Sequence, residues 1–110
     1  MIQVVYLRDY NRVSIVGHAE SAEKGKDLIC ASASILAYTL ADFVKKAKEE
    51  DKVRFCLTFI EEGDTIISCS PHEGNKAEVT TVFDAICRGY ELLAENYPEN
   101  VSYEDIRKSI

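Results

Sequence analysis

The sequence predicts an α+β protein, a two-layer sandwich in which an antiparallel sheet carries two helices on one face. Two observations give this class. Two pairs of short segments rich in β-branched and aromatic residues are each joined by turn-prone residues, and each pair is followed by a long stretch with apolar residues at steps of three and four. The expected order is ββαββα with a possible short terminal strand, and strand order within the sheet does not follow from the sequence. The chain has 110 residues, 46% hydrophobic and 29% charged, with 5 Gly and 2 Pro. That size suits one domain over residues 1–110 with a single core, and the composition excludes disordered and collagen-like readings.

Residues 2–8 and 12–18 flank the turn-prone Asp9-Tyr10-Asn11 and read as the first hairpin. Ile29, Ala33, Leu36, Leu40, Phe43 or Val44 and Ala47 then recur at the helical period, which predicts helix 1 over about 28–49. Asp27 is placed to cap it. Asp42, Lys45, Lys46, Lys48, Glu49 and Glu50 crowd its second half as a solvated face, whereas the first half is charge-free all round. Such a turn needs cover on more than one side, from a second layer or a partner subunit, and a homodimer contact is the favoured cover.

A second hairpin follows at about 53–60 and 65–70, where Val53, Phe55, Leu57 and Phe59 alternate with Arg54, Cys56, Thr58 and Ile60. A two-residue loop at Glu62-Gly63 puts Cys56 opposite Cys69 but sets Ser68 and Ser70 opposite Leu57 and Phe55. A bulged turn using Gly63 is preferred, because it puts Ile67 and Cys69 on the apolar face and makes Cys69 core. Helix 2 begins near Asn75, with Glu78 reaching back in a variant of the capping box. Val79, Val82 or Phe83, Ile86, Tyr90, Leu93 and Tyr97 line its stripe. Gly89 inside it costs about 1 kcal/mol relative to Ala and suggests a close backbone approach. Pro98 ends the helix, and Val101 to Ile106 reads as the short last strand.

The balance of 13 basic against 19 acidic residues gives a net charge of -6, which disfavours direct nucleic-acid binding. The N-terminal residues lack the basic region, apolar stretch and cleavage site of a secretory signal. The longest uncharged run, Leu28 to Ala41, falls short of the roughly 20 residues that span a bilayer. A cytoplasmic protein without a membrane partner is expected. Four cysteines, Cys30, Cys56, Cys69 and Cys87, show no Cys-x-x-Cys, and Cys69-Ser-Pro-His72 offers two metal ligands without a second pair. No metal or cofactor is expected. Cys56 and Cys87 read as packing residues, and His72 as a solvated loop histidine.

The chemistry concentrates between Gly17 and Ser34, where a strand end leads into a helix start. With Asp27 as cap, Cys30 falls in the first turn, where the positive helix end and free backbone N–H groups favour a thiolate. His18 is the nearest imidazole able to accept the thiol proton and return it to a leaving amine. Amides of residues 28–31 not consumed by capping are candidate oxyanion donors. Gly17 and Gly25 bracket a polar loop, 20–26, placed to act as a lid. Asp27 has two readings, as the cap or as a third member orienting His18 or a substrate amide. Ser34, at i+4 from Cys30, shares its helical face and orients a group near the thiol or makes a tight helix contact.

Gly17-His18-Ala19, then Gly25-x-Asp27-Leu28-Ile29-Cys30-Ala31 with Ser34 one turn later, resembles the ribosomal-processing cysteine protease family of Firmicutes, often called Prp. The length and ββαββα order match that family over almost the whole chain. The resemblance implies a homodimeric cytosolic endopeptidase that removes the N-terminal extension of large-subunit ribosomal protein twenty-seven, cutting after paired Phe residues and before a small residue. It implies His18 as general base, Cys30 as nucleophile, and Asp27 and Ser34 as supporting polar residues, with no cofactor. A net charge of -6 suits a basic ribosomal substrate. The alternative is a non-catalytic dimeric module of the same fold that binds a peptide or assists ribosome assembly. A thiol redox protein is disfavoured, because no resolving cysteine lies close in sequence.

Overall fold

The computed structural model describes residues 1–18 and 24–107, with the backbone alone at 24–27. The elements are β1 (Ile2–Leu7), β2 (Arg12–Val16), α1 (Lys24–Glu49), β3 (Val53–Glu61), β4 (Asp64–Pro71), α2 (Lys76–Asn96) and β5 (Val101–Ile106), with single 3-10 turns at Arg8–Tyr10 and Glu73–Asn75. The five strands form one sheet in the order β3-β4-β2-β1-β5. Three pairings are antiparallel, and β5 runs parallel to β1, so the sheet is mixed.

The chain path explains that last strand. Helix α1 connects β2 to β3, which share a direction across the intervening β4, and α2 connects β4 to β5 across β2 and β1. The two crossovers leave oppositely directed strands and travel to opposite edges. One right-handed sense therefore brings both helices to the same face, and a terminal strand reached through α2 lies parallel to β1.

The helix-facing side of the sheet supplies Ile2, Val4, Tyr6, Val13, Thr65, Ile67 and Cys69, all buried. Against it pack Ile29, Ala33, Ala37, Leu40, Ala41, Val44 and Ala47 of α1 and Val79, Phe83, Cys87 and Tyr90 of α2. The two helices lock at one place. A Cβ on Gly89 would stand 2.9 Å from Cδ2 of Leu36, so the glycine gives Leu36 its seat. One turn away the Tyr90 hydroxyl donates to the Ala33 carbonyl at 2.8 Å. Helix α1 between Leu28 and Glu49 is long and apolar enough on average to cross a membrane, contrary to the expectation from its uncharged run. Its inward stripe is nevertheless packed on the sheet and α2, as in the core helix of a globular protein.

Strands β3 and β4 depart from the expected register. Glu62 and Gly63 form a two-residue loop with Cys56 opposite Cys69, Leu57 opposite Ser68 and Phe55 opposite Ser70. The irregularity lies instead at the start of β3, between Val53 and Phe55. That extra residue flips the alternation, so Val53 is buried, Cys56 and Ile60 pack against the core, and Phe55, Leu57 and Phe59 stand exposed on the outer face. Gly63, at φ +77°, supplies the left-handed residue that lets the loop close in two residues without a bulge. Cys69 is core, as expected, but by the other register. At the second helix the Asn75 amide bonds the Glu78 side chain at 3.1 Å, while no side chain caps the backbone.

Candidate active site

Strand β2 is followed by Gly17, whose φ of +104° is open to few residues with a side chain. A Cβ there would also collide with the Met1 carbonyl oxygen. The Gly17 N–H donates to the Gly63 carbonyl at 2.9 Å, which ties the end of β2 to the β3–β4 turn. The next residue, His18, is exposed and lays its imidazole against Gly63.

Across from this turn, α1 presents Cys30, Ser34 and Tyr38 at steps of four residues, one above another on an exposed stripe. Ile29, Ala33 and Ala37 face the core from the same turns and fix the rotation of the helix. Between the two walls lies a cleft of about 370 Å³ lined by His18, Cys30, Ser34, Tyr38 and the turn residues Glu61 to Thr65, with Ile15 and Ile60 among its apolar residues. The fold thus brings together His18, Cys30 and Ser34, which are 12 and 16 residues apart along the chain.

Among the described residues no hydrogen bond joins His18 to Cys30. In unliganded enzymes the hydrogen bond of an acid–base pair is often long or absent and tightens only with substrate. Glu61, Glu62 and Asp64 are exposed on the cleft, and no lysine or arginine lines it among the described residues. The formal charges of the described cleft residues are therefore all negative. Also among the described residues, no group of three His, Cys, Asp or Glu side chains stands ready to hold a metal ion.

Several sequence expectations shift. Helix α1 starts at Lys24, so Cys30 is its seventh residue and lies in the second turn. The field of the helix end falls off within the first turn, and the amides of residues 28–31 already serve the helix ladder. Neither dipole activation of the thiol nor an oxyanion site at those amides follows. Asp27 lies inside α1, three residues before Cys30, so it is not the cap; its side chain lies outside the described residues. Gly25 is likewise helical rather than a loop hinge, and of the expected lid, residues 20–23 lie outside the described residues. Tyr38, Gly63 and the acidic residues of the turn are cleft residues that sequence reasoning missed. Gly63 alone had a signal, as the glycine of a hairpin loop, and that signal concerns the turn and not His18.

The other cysteines stand apart. Cys30 is exposed, Cys56 half-buried, and Cys69 and Cys87 buried. Burial pushes the Cys69 thiol up to about 11 and the Cys87 thiol to about 12. His72 bonds Asp51 at 3.1 Å rather than standing free in its loop.

A family described as cysteine protease Prp matches residues 1–102 of the chain. A solved protein from Streptococcus mutans shares 26% identity and superposes with a TM-score of 0.70, covering 98% of this chain and 96% of its own. The essential ribosomal processing protease Prp from Staphylococcus aureus, solved with a covalently linked product peptide, has 18% identity and a TM-score of 0.68, with 96% of this chain and 97% of that chain covered. The same protease with a substrate peptide gives 17% identity and the same TM-score of 0.68, again over 96% and 97% of the two chains. No curated protein sequence matches the chain.

Proposed function

The chain belongs to the cysteine protease Prp family, and we propose that it is a cytoplasmic endopeptidase that removes the N-terminal extension of large-subunit ribosomal protein twenty-seven. The observation that carries the site assignment is that Cys30, the exposed thiol, and His18 line one cleft. His18 accepts the thiol proton, and the Cys30 sulfur attacks the carbonyl carbon of the scissile bond. Collapse of the tetrahedral adduct breaks the C–N bond, and the imidazolium gives its proton to the departing amine. Water, deprotonated by His18, then attacks the thioester and returns free thiol and the leader's carboxylate. No metal or cofactor enters this sequence.

Ser34, one turn beyond Cys30 on the same wall, is placed to orient a substrate group, and Asp27 precedes the thiol by three residues in the same helix. The carboxylates of Glu61, Glu62 and Asp64 favour a cationic substrate chain, in keeping with a ribosomal protein. The peptide-bound Staphylococcus aureus structures, including one with a covalently linked product, support a cleft of this fold as a peptide site.

The test is a peptide of about a dozen residues with a Phe-Phe-Ala core, incubated with the parent protein and with Cys30→Ala and His18→Ala. The parent cuts after the second Phe, Cys30→Ala is inactive, and His18→Ala loses about 10²–10⁴-fold, the usual contribution of a positioned acid–base group. Binding of the peptide without cleavage by the reduced parent would replace this reading with a non-catalytic peptide module.

The active form is a homodimer in which a second copy covers the charge-free stripe of α1, where Leu28, Ile35 and Tyr38 are exposed. The expected mass in solution is twice that of the 12.4 kDa chain, and Ile35→Glu returns it to the single-chain value. A parent protein that stays single at high concentration has no such interface.

A further inference from the structure

The β3–β4 turn meets the end of β2 in two ways. The Gly63 carbonyl accepts from Gly17 N–H at 2.9 Å, immediately before His18. A Cβ built on Gly63 would stand 2.5 Å from His18 Nε2 and 2.9 Å from Cε1. The imidazole therefore occupies the volume that any side chain at position 63 would need. The two partners differ in freedom. Gly63 is held in a two-residue loop closed by the Glu61–Asp64 pair, and the next residue, Thr65, is buried. His18 is an exposed side chain whose ring can be pushed off this seat at the cost of the contact. A side chain added at 63 displaces the ring and leaves the turn in place.

We infer that Gly63 is the positioning residue of His18: its bare Cα is the surface on which the imidazole rests on the cleft wall opposite Cys30. This rests on the reading of His18 as the base. The hairpin makes its own demand for glycine, since Gly63 sits at φ +77°. The two demands separate because Asn tolerates that backbone conformation yet carries a Cβ.

The experiment compares Gly63→Ala and Gly63→Asn in the parent and in a His18→Ala background, with cleavage kinetics of the Phe-Phe-Ala peptide and thermal midpoints. Both variants are expected to lower kcat by about 10–100-fold, the scale of a reacting group moved by about 1 Å, while KM changes by less than about threefold. The loss of thermal midpoint caused by Gly63→Asn shrinks once His18 is Ala, because the clash is with the ring. A Gly63→Asn enzyme with kcat within about twofold of the parent overturns the inference, since a misplaced base costs more than that. An equal drop in midpoint in both backgrounds also overturns it. Should the variants unfold in the parent background, recovery of folding by His18→Ala supports the contact, and failure to recover refutes it. If His18→Ala cleaves like the parent, the base assignment falls, while the coupling between positions 18 and 63 is still read from the midpoints.

Discussion

Cys30 and the pair Cys69 and Cys87 are one chemical group in two environments. Cys30 stands exposed on an open cleft, whereas Cys69 faces the helices from the middle of the sheet and Cys87 lies on the inward stripe of α2. Burial opposes the charged form of the inner two, and for Cys87 the nearby Asp105 and Asp84 oppose it further, against a hydrogen bond from Tyr103 that favours it. A nucleophile must be reached by its substrate and must be able to shed its proton. The core denies both to Cys69 and Cys87, so their value is packing, whereas Cys30 stands where a substrate can reach it.

Native-state alkylation puts this comparison to its harshest test. With iodoacetamide at pH 8, peptide mapping by mass spectrometry is expected to find Cys30 modified first. Cys69 and Cys87 wait for the chain to open, which at about 5 kcal/mol of stability makes them at least ~10³-fold slower. Cys56, half-buried, falls between. Cys87 reacting at a rate comparable to Cys30 would break the distinction. The rate at Cys30 also drops in His18→Ala if the imidazole takes the thiol proton.

The sequence reveals this contrast only in part. The helical period places Val79, Phe83 and Tyr90 in the core stripe and Cys87 in it or beside it, because helix packing obeys a local repeat that one irregular residue does not disturb. Strand alternation is more fragile. A single extra residue between Val53 and Phe55 reverses every inside and outside assignment along β3, and nothing local marks it. The start of α1 was misplaced for a related reason, since Asp27 is a good cap by composition while the helix continues back to Lys24. The parallel direction of β5 depends on where α2 crosses the sheet. The contacts of Gly63 with His18 and of Arg8 and Tyr6 with Asp84 join residues more than 40 positions apart, so spacing could not disclose them.

A finer test uses the same thiols as reporters of stability. Each inner thiol has its folded value raised above the ordinary 9.0, to about 11 for Cys69 and about 12 for Cys87. Below pH 9 both folded and unfolded chains hold the neutral thiol, and these groups give stability no pH dependence. Above it the unfolded chain sheds the protons and the folded chain keeps them, so stability falls as pH rises, until each group ionises in the folded state as well. Each thiol contributes a slope approaching about 1.4 kcal/mol per pH unit, and the two together remove about 2 kcal/mol between pH 8.5 and 10. The window matters because Tyr6, Tyr90 and Tyr103 are raised as well, in the same direction but from an ordinary value of 10.0. Urea midpoints across pH 8.5–10 also carry about 1 kcal/mol from these three tyrosines, so the thiol part of the slope is read as the difference between each variant and the parent, a quantity insensitive to the cavity a substitution leaves. Cys87→Ala should remove about half of that slope, and Cys30→Ala, at the exposed thiol, is the variant it is compared with. An equal effect of the two substitutions would mean that the inner and outer cysteines share one environment, and the basis for choosing Cys30 among four would be gone.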